Sequence, residues 1–311
     1  MSSGNLLFFS VLLLGPLVSV SSSNWIICWV GMELSFLGAI PLMLSDSNFL
    51  SMSKESVMKY FCIQALGSGL LMLGGVMVYM DLSVFWVFEL VFVSGLFMKL
   101  GIFPMHFWVP GVTAGLNWFP MFIMLGWQKI APFAFLINLV ESASWLKSTV
   151  LVFGGLSALV GSFIGLNQTS VRAMLGSSSI VHSGWSCLGV VSGGLWTYFS
   201  IYCLSFIVLM LLFLLGENLL AGFGILSLSG LPPFIMFAGK WMILKGVFFS
   251  NFSYIFAILP IVGALLSLFF YLKFFYSFYL SWGSVGQTSN YVVGSSLIFI
   301  ILSGVLTMFI F

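Results

Sequence analysis

Four ionisable side chains lie deep inside long apolar stretches of this sequence. Glu33 occurs in CWVGMELSFLGAIP, Lys99 in VSGLFMKLG, Lys129 in WFPMFIMLGWQKIAPFAFL and Lys240 in FAGKWMILKG. If these stretches cross a bilayer, each charge costs about 2.5–3.5 kcal/mol at the centre. An amine in apolar surroundings loses its proton more readily than one in water. A buried lysine can therefore both accept and release H⁺, and the pattern predicts a proton relay built on these four residues.

A purely structural role is the alternative for these charges. Glu33 and Lys99 could form one ion pair that holds two helices together, and long side chains near helix ends can reach the interface. Three lysines outnumber the carboxylates at the same depth. Pairing alone therefore does not explain the pattern as well as proton transfer does.

Two histidines are further candidates, because an unperturbed imidazole titrates near pH ~6.5. His106 follows a helix break in MKLGIFPMHFWVP and could pass protons or hydrogen-bond the backbone that the break frees. His182 lies among small hydroxyl residues in SSSIVHSGWS, a composition that suits a hydrated path.

The composition indicates which environment must position these residues. Of 311 residues, 61% are hydrophobic and only 5% are charged, and the mean hydropathy is +1.21. Soluble domains carry about 25% charged residues, so the sequence predicts a polytopic membrane protein. A net charge of +2 without a basic block makes nucleic acid an implausible partner.

Sequence motifs for cofactors and metals do not occur. The chain has no glycine-rich phosphate loop and no dinucleotide fingerprint. Its four cysteines fall in apolar runs without metal-ligand spacing. We expect no cofactor and no metal on this chain, so any redox groups that it serves must lie on other chains.

Hydropathy and helix breakers predict an all-α protein with about eleven transmembrane helices in a single domain, residues 1–311. The predicted spans are Leu6–Val20, Trp25–Leu44, Val57–Met80, Leu82–Pro104, Trp118–Val140, Ser148–Leu166, Arg172–Val191, Leu195–Leu215, Leu219–Phe249, Tyr254–Leu280 and Tyr291–Phe311.

Two of these spans carry strong helix breakers. Gly101 and Pro104 interrupt the region 82–110, and LSLSGLPPF interrupts the region 219–250. They are the fourth and the ninth spans, an odd offset of five, so they cross the membrane in opposite directions, as the halves of an inverted repeat do. Freed backbone groups at membrane depth are tolerated only against protein or a water-filled cavity. The breaks therefore indicate a pathway.

The basic residues near span ends give a weak orientation signal. The loops on the N-terminal side have Lys54, Lys59, Arg172 and Lys273, whereas the other side has Lys147 and Lys245. The positive-inside rule places the N-terminus on the inner, matrix-like side.

Six segments carry a resemblance to a known family. They resemble the chain 2 family of mitochondrial NADH:ubiquinone oxidoreductase (respiratory complex I), an antiporter-like subunit of the membrane arm. The segments occur in that family's order and run from the second span to the ninth. They are GMELSFLGAIP, MKYFCIQALGS, MKLGIFPMHFWVP, WQKIAP, GLNQTSVRAMLGSSSIVHSGW and LSLSGLPPFIMFAGKW.

The resemblance implies a proton-translocating subunit coupled to NADH oxidation and ubiquinone reduction on other subunits. Glu33 matches the family's carboxylate that pairs with the lysine of the first broken helix, here Lys99. Lys129 matches the central relay lysine, and Lys240 matches the lysine of the second broken helix. The chain would then be part of NADH:ubiquinone reductase without carrying redox chemistry itself.

The resemblance also implies where the cofactors lie and which partners and membrane surround this chain, and three residues depart from the family's pattern. NADH, FMN, iron–sulfur clusters and ubiquinone would lie on other subunits. The partners would be neighbouring antiporter-like and small membrane-arm subunits and lipids such as cardiolipin, in the mitochondrial inner membrane. Gly111 replaces a common glutamate after WVP, Ala173 a common lysine and Gly239 a common proline. The lost carboxylate leaves the route of proton entrance undefined.

Two other functions share some of these features. A self-sufficient cation/proton antiporter would also have broken helices and buried lysines, but it needs a mid-membrane carboxylate cluster and the sequence offers only Glu33. A non-transporting assembly scaffold would use the charges only to fix helix packing.

Overall fold

The computed structural model describes residues 3–45, 50–79, 85–216, 218–249 and 254–282, and the predicted span Tyr291–Phe311 lies outside them. The described residues form α-helices and one 3-10 turn, Trp127–Lys129, and contain no strand. This confirms the all-α prediction. The helices are α1 (Ser3–Ser21), α2 (Trp25–Ser45), α3 (Leu50–Tyr79), α4 (Phe85–Leu100), α5 (Trp108–Gly115), α6 (Trp118–Leu125), α7 (Ile130–Ser142), α8 (Ser144–Leu166), α9 (Val171–Ser192), α10 (Leu195–Leu215), α11 (Asn218–Ser229), α12 (Ile235–Phe249) and α13 (Ile255–Trp282).

Seven helical segments in the described ranges are long and apolar enough to cross a membrane. α11 is apolar but shorter, with 12 residues. These spans, with the broken helices beside them, are roughly consistent with the predicted eleven. The segments are Gly4–Ser21, Trp25–Leu44, Met52–Tyr79, Trp118–Glu141, Trp145–Asn167, Leu195–Leu215 and Ile255–Ser281.

Both predicted helix breaks are present. α4 ends at Leu100, and α5 begins only at Trp108. α11 ends at Ser229, and α12 begins at Ile235. Gly101 (φ 70°) and Gly230 (φ 76°) adopt the left-handed conformation directly after the helix end, as glycine at this position commonly does.

A third interruption was not predicted. The sequence suggested one continuous span over Trp118–Val140, but α6 ends at Leu125 and a 3-10 turn precedes α7. Gly126 donates its backbone N–H to the Phe122 carbonyl at 2.9 Å, and Lys129 donates to the Gly126 carbonyl at 3.1 Å. The turn thus retains backbone hydrogen bonds while changing the helical path.

The chain groups into two compact units. The first consists of the described residues of Met1–Ser148 and Arg172–Ile180. In it α1 packs along α2 and α3 packs along α4. Small residues make this packing close, since a Cβ at Gly15 would lie 2.6 Å from the Ser35 Cβ.

The second unit consists of Thr149–Val171 and the described residues from Val181 onward. In it α11 packs against α13 and α10, and α10 packs against α12. Its largest fully buried side chains include Trp185, Tyr198 and Tyr271. The expectation of a single domain over 1–311 stays a prediction.

Candidate functional site

Glu33 of α2 and Lys99 of α4 form a partly buried ion pair in the first unit. The Lys99 Nζ lies 2.6 Å from a Glu33 carboxylate oxygen, and the side chains are 4% and 19% exposed, respectively. Lys99 is the second-to-last residue of α4, where unpaired helix carbonyls favour positive charge. The pair thus lies directly at the first helix break.

Two side chains bind the backbone carbonyls that this break frees. Gln64 donates its amide N–H to the Lys99 carbonyl at 3.4 Å, and Trp108 donates its indole N–H to the Met98 carbonyl at 3.1 Å. The sequence analysis assigned no role to either residue. A buried glutamine within the apolar run of MKYFCIQALGS was the available signal for Gln64.

His106 is buried at 1% exposure beside this break. Its ring stacks with Phe103 and lies 4.2 Å from the Phe107 ring, centroid to centroid. Neither ring nitrogen has a hydrogen-bond partner of ordinary geometry within the described chain. The freed carbonyls at Met98 and Lys99 are bound by other side chains, and the backbone group that His106 approaches in this break is the Pro104 carbonyl.

Lys129 ends the 3-10 turn and is 5% exposed. Its Nζ donates to the backbone carbonyl of Ser179 on α9 at 3.3 Å, within the first unit. The two residues before it anchor the turn. Trp127 donates its indole N–H to the Leu12 carbonyl at 3.0 Å, and Gln128 donates its amide N–H to the Ser35 carbonyl at 2.8 Å.

A small polar pocket adjoins Lys99 in the first unit. The volume open to the centre of a water molecule is about 10 Å³, which is room for about one water. Its lining residues are Met32, Ser35, Phe36, Tyr60, Gln64, Lys99, Trp108, Met124, Gln128 and Pro132.

Lys240 is the buried cation of the second unit, with 7% exposure. Its Nζ donates to the carbonyl of Ser229 at 2.7 Å and lies 5.7 Å from the centre of the Trp185 ring. Ser229 is the last residue of α11, so the ammonium lies at the negative end of a helix dipole. The second break therefore supplies Lys240 with a carbonyl and an indole ring.

His182 bridges two tyrosines in the second unit. Its Nδ1 lies 2.7 Å from the Tyr198 hydroxyl, and its Nε2 lies 3.3 Å from the Tyr271 hydroxyl. A neutral imidazole has one N–H donor and one acceptor nitrogen. One phenol therefore donates to the ring and the other accepts from it. The sequence missed both tyrosines because α10 and α13 bring them to His182 from distant positions.

The serines around His182 make local hydrogen bonds. Ser177, Ser178 and Ser179 donate to the carbonyls three residues earlier on α9, and Ser186 donates to the His182 carbonyl at 2.8 Å. In the part of the chain that the structure describes, no group of three His, Cys, Asp or Glu side chains could hold a metal ion.

Within the described residues, the predicted site residues are divided between the two units. Glu33 and Lys99 are in direct contact, and Lys129 belongs to the same unit as that pair. His106 lies beside the first break, while Lys240 and His182 belong to the second unit. With buried lysines at interrupted, apolar helices, this chain has the features of an antiporter-like membrane subunit.

Comparisons with known proteins specify that class further. The family described as NADH:quinone oxidoreductase/Mrp antiporter, TM matches residues 22–221. NADH-ubiquinone oxidoreductase chain 2 of Albinaria caerulea is 34% identical over 90% of this chain and 91% of its own length. The Anopheles gambiae protein of that name is 36% identical over 96% and 94%, respectively. The chain belongs to the NADH-ubiquinone oxidoreductase chain 2 family, which confirms the resemblance seen in the sequence.

A solved structure supports the fold. A chain of respiratory complex I from Thermus thermophilus superimposes with a TM-score of 0.77 at 23% identity. The match covers 87% of this chain and 69% of the other. At this identity the likeness shows the antiporter-like fold alone, and that fold was predicted.

Proposed function

We propose that this chain is the proton-translocating membrane-arm subunit of respiratory complex I, and that protons pass through its buried lysines and bound water. The supporting observation is the partly buried Glu33–Lys99 pair, 2.6 Å apart, at a broken helix. The energy would come from NADH oxidation and ubiquinone reduction on other subunits. The chain would take part in NADH:ubiquinone reductase activity without redox chemistry of its own.

Glu33 would control whether Lys99 holds its proton. A carboxylate in contact with an amine stabilises the charged form by about 1–4 kcal/mol. Moving one proton against 100 mV costs about 2.3 kcal/mol. Energy supplied by the other subunits that weakens the contact between Glu33 and Lys99 would therefore raise the free energy of protonated Lys99 by a comparable amount, enough to move the proton on to Lys129.

The carbonyl partners of Lys129 and Lys240 suit amines that change protonation state. A carbonyl oxygen accepts a hydrogen bond from –NH₃⁺ and, more weakly, from neutral –NH₂. The bonds to the carbonyls of Ser179 and Ser229 can thus persist through proton uptake and release. Little rearrangement is needed for either lysine to act, and we place Lys240 after Lys129 in the relay.

His182 would polarise or pass protons in the second unit through Tyr198 and Tyr271. His106 has a lesser place in the proposal, since its ring nitrogens lack ordinary hydrogen bonds within the described residues.

The same proposal implies the partners, the cofactor locations and the membrane of this chain. The partners would be other complex I subunits, notably the neighbouring antiporter-like and small membrane-arm subunits, and lipids such as cardiolipin. NADH, FMN, iron–sulfur clusters and ubiquinone would bind elsewhere in the complex, and no nucleic acid would be bound. The protein would span the mitochondrial inner membrane several times with its N-terminus in the matrix.

Replacing Lys129 tests the relay directly. Lys129→Met keeps a long apolar stem and removes the titratable amine, so we expect fewer protons to be translocated per electron in the assembled complex. The measurement is the proton-to-electron ratio in sealed vesicles with NADH and ubiquinone. Lys54→Met, which removes an exposed amine at the start of α3, is the matched control and should leave the ratio unchanged.

Two results would replace this proposal. An unchanged ratio with Lys99, Lys129 and Lys240 all made apolar would establish the scaffold function. Cation-dependent proton exchange by the purified chain in vesicles would establish a self-sufficient antiporter.

A further inference from the structure

Gln128 uses one N–H and the carbonyl oxygen of its amide on a single residue of α2, and its second N–H remains for another partner. Its Nε2 donates to the Ser35 backbone carbonyl at 2.8 Å, and its Oε1 accepts from the Ser35 hydroxyl at 3.1 Å. Because a donor and the acceptor of the amide are both engaged, the amide plane is held in one orientation. This two-bond clamp joins the 3-10 turn that ends in Lys129 to α2.

Ser35 connects the clamp to the ion pair. It follows Glu33 by two residues on α2, a rise of about 3 Å along the helix. Residues two apart point to different sides of a helix. α2 therefore contacts Lys99 through Glu33 on one side and holds the turn of Lys129 through Ser35 on another.

The pocket beside Lys99 lies on the clamped side. Lys99, Ser35 and Gln128 all line it, with the polar side chains of Tyr60 and Gln64. A buried water needs about 2–4 polar partners, and this lining offers them. Its volume of about 10 Å³ admits about one water molecule.

We infer that Gln128 is a positioning residue for proton transfer from Lys99 to Lys129, an inference that rests on the proposed function. Its amide orients a water that hydrogen-bonds Lys99, and its clamp to Ser35 holds the turn of Lys129 beside that water. An N–H bond of the Lys99 ammonium breaks as an O–H bond forms on the water. The water releases a different proton, which further bound water carries to neutral Lys129, where an N–H bond forms. The amide itself neither gains nor loses a proton.

Gln128→Leu in the assembled complex tests this role, because leucine keeps most of the volume and removes both hydrogen bonds. We expect NADH-to-ubiquinone electron transfer to continue while the proton-to-electron ratio decreases about as far as in Lys129→Met. Asn138→Leu is the matched control. It removes an amide from an exposed position of α7 in the same span and should leave the ratio unchanged.

Ser35→Ala is a second variant that decides the outcome if Gln128→Leu does not assemble. It removes the hydroxyl donor but keeps the backbone carbonyl that binds Nε2, so the ratio should decrease less than in Lys129→Met and still measurably. An unchanged ratio in Gln128→Leu, or in Ser35→Ala where only that variant assembles, overturns the inference if Lys129→Met lowers the ratio. An unchanged ratio in Lys129→Met itself would instead overturn the proposed function.

Discussion

At the scale of residues, the Glu33–Lys99 pair differs physically from the other ion pair in the described chain. Glu55 and Lys59 also lie 2.6 Å apart, but their side chains are 60% and 54% exposed. Exposed ion pairs between residues four apart on a helix contribute about 0.3–0.5 kcal/mol to stability. A buried pair is different, because removing one partner leaves an uncompensated charge. The two pairs therefore form a natural comparison within one chain.

Glu33→Gln should destabilise the assembled complex, since Lys99 then remains buried without its carboxylate. The loss is at most about 3–5 kcal/mol, and it is smaller because Glu33 is 19% exposed and not fully buried. Thermal unfolding of the complex measures it. Glu55→Gln, the control, should change the unfolding temperature little.

The double variant Glu33→Gln/Lys99→Met separates pairing from general disruption. With both charges removed, no uncompensated ammonium remains, so the double variant should be less destabilised than the sum of the two single variants. Strict additivity would show that the two residues are energetically independent, despite the 2.6 Å contact.

At the scale of helices, the breaks at Gly101 and Gly230 could be predicted and the turn at Gly126 could not. The first two lie beside prolines in IFP and LPPF, which remove backbone donors and forbid a continuous helix. The nearest proline after Gly126 is Pro132, which lies within the first turn of α7, and a lone glycine is tolerated within a helix. Its turn is fixed by side-chain contacts with distant residues, Trp127 to Leu12 and Gln128 to Ser35.

The same distinction applies to the candidate site. Charged residues in apolar runs were visible in the sequence, and the contact between Glu33 and Lys99 agrees with that pattern. The neutral partners Tyr198 and Tyr271 were not visible, because tyrosine is common and inexpensive near membrane interfaces, and Gln128 was missed although it stands beside Lys129 in an apolar run. Only the packing of distant helices shows which of them bond a candidate residue.

Gly101→Ala tests the importance of the first break. The φ of 70° is unfavourable for alanine, and a Cβ there would lie 2.5 Å from the Val109 Cγ2. We expect a loss of about 1–3 kcal/mol, measured by thermal unfolding of the complex, together with reduced proton translocation because Lys99 is displaced.

Gly111→Ala is the matched control for that variant. A Cβ at Gly111 meets nothing within 4 Å, and alanine is the better helix former by up to about 1 kcal/mol. Gly111→Ala should therefore leave stability unchanged or raise it. Equal losses in the two variants would show that the left-handed turn at Gly101 is unimportant.

At the scale of the whole molecule, the distribution of basic side chains predicts which membrane face each loop occupies. Several of these cations make contacts near helix ends. Arg172 donates to the Leu116 carbonyl at 2.8 Å, and Lys273 donates to the Gln168 carbonyl at 3.1 Å. The helix dipole stabilises cations near helix-terminal carbonyls. The positive-inside rule places such cations on the inner side of the membrane.

We therefore expect a short epitope fused before Met1 to lie in the matrix, whereas the same epitope inserted at Ser23, between α1 and α2, should lie on the opposite face. In mitochondria without their outer membrane, an added protease should remove the Ser23 epitope and spare the N-terminal one until detergent opens the inner membrane. If the protease removed the N-terminal epitope and spared the Ser23 epitope, the orientation would be opposite to the predicted one. Because a single helix, Ser3–Ser21, separates the two positions, each epitope serves as the control for the other.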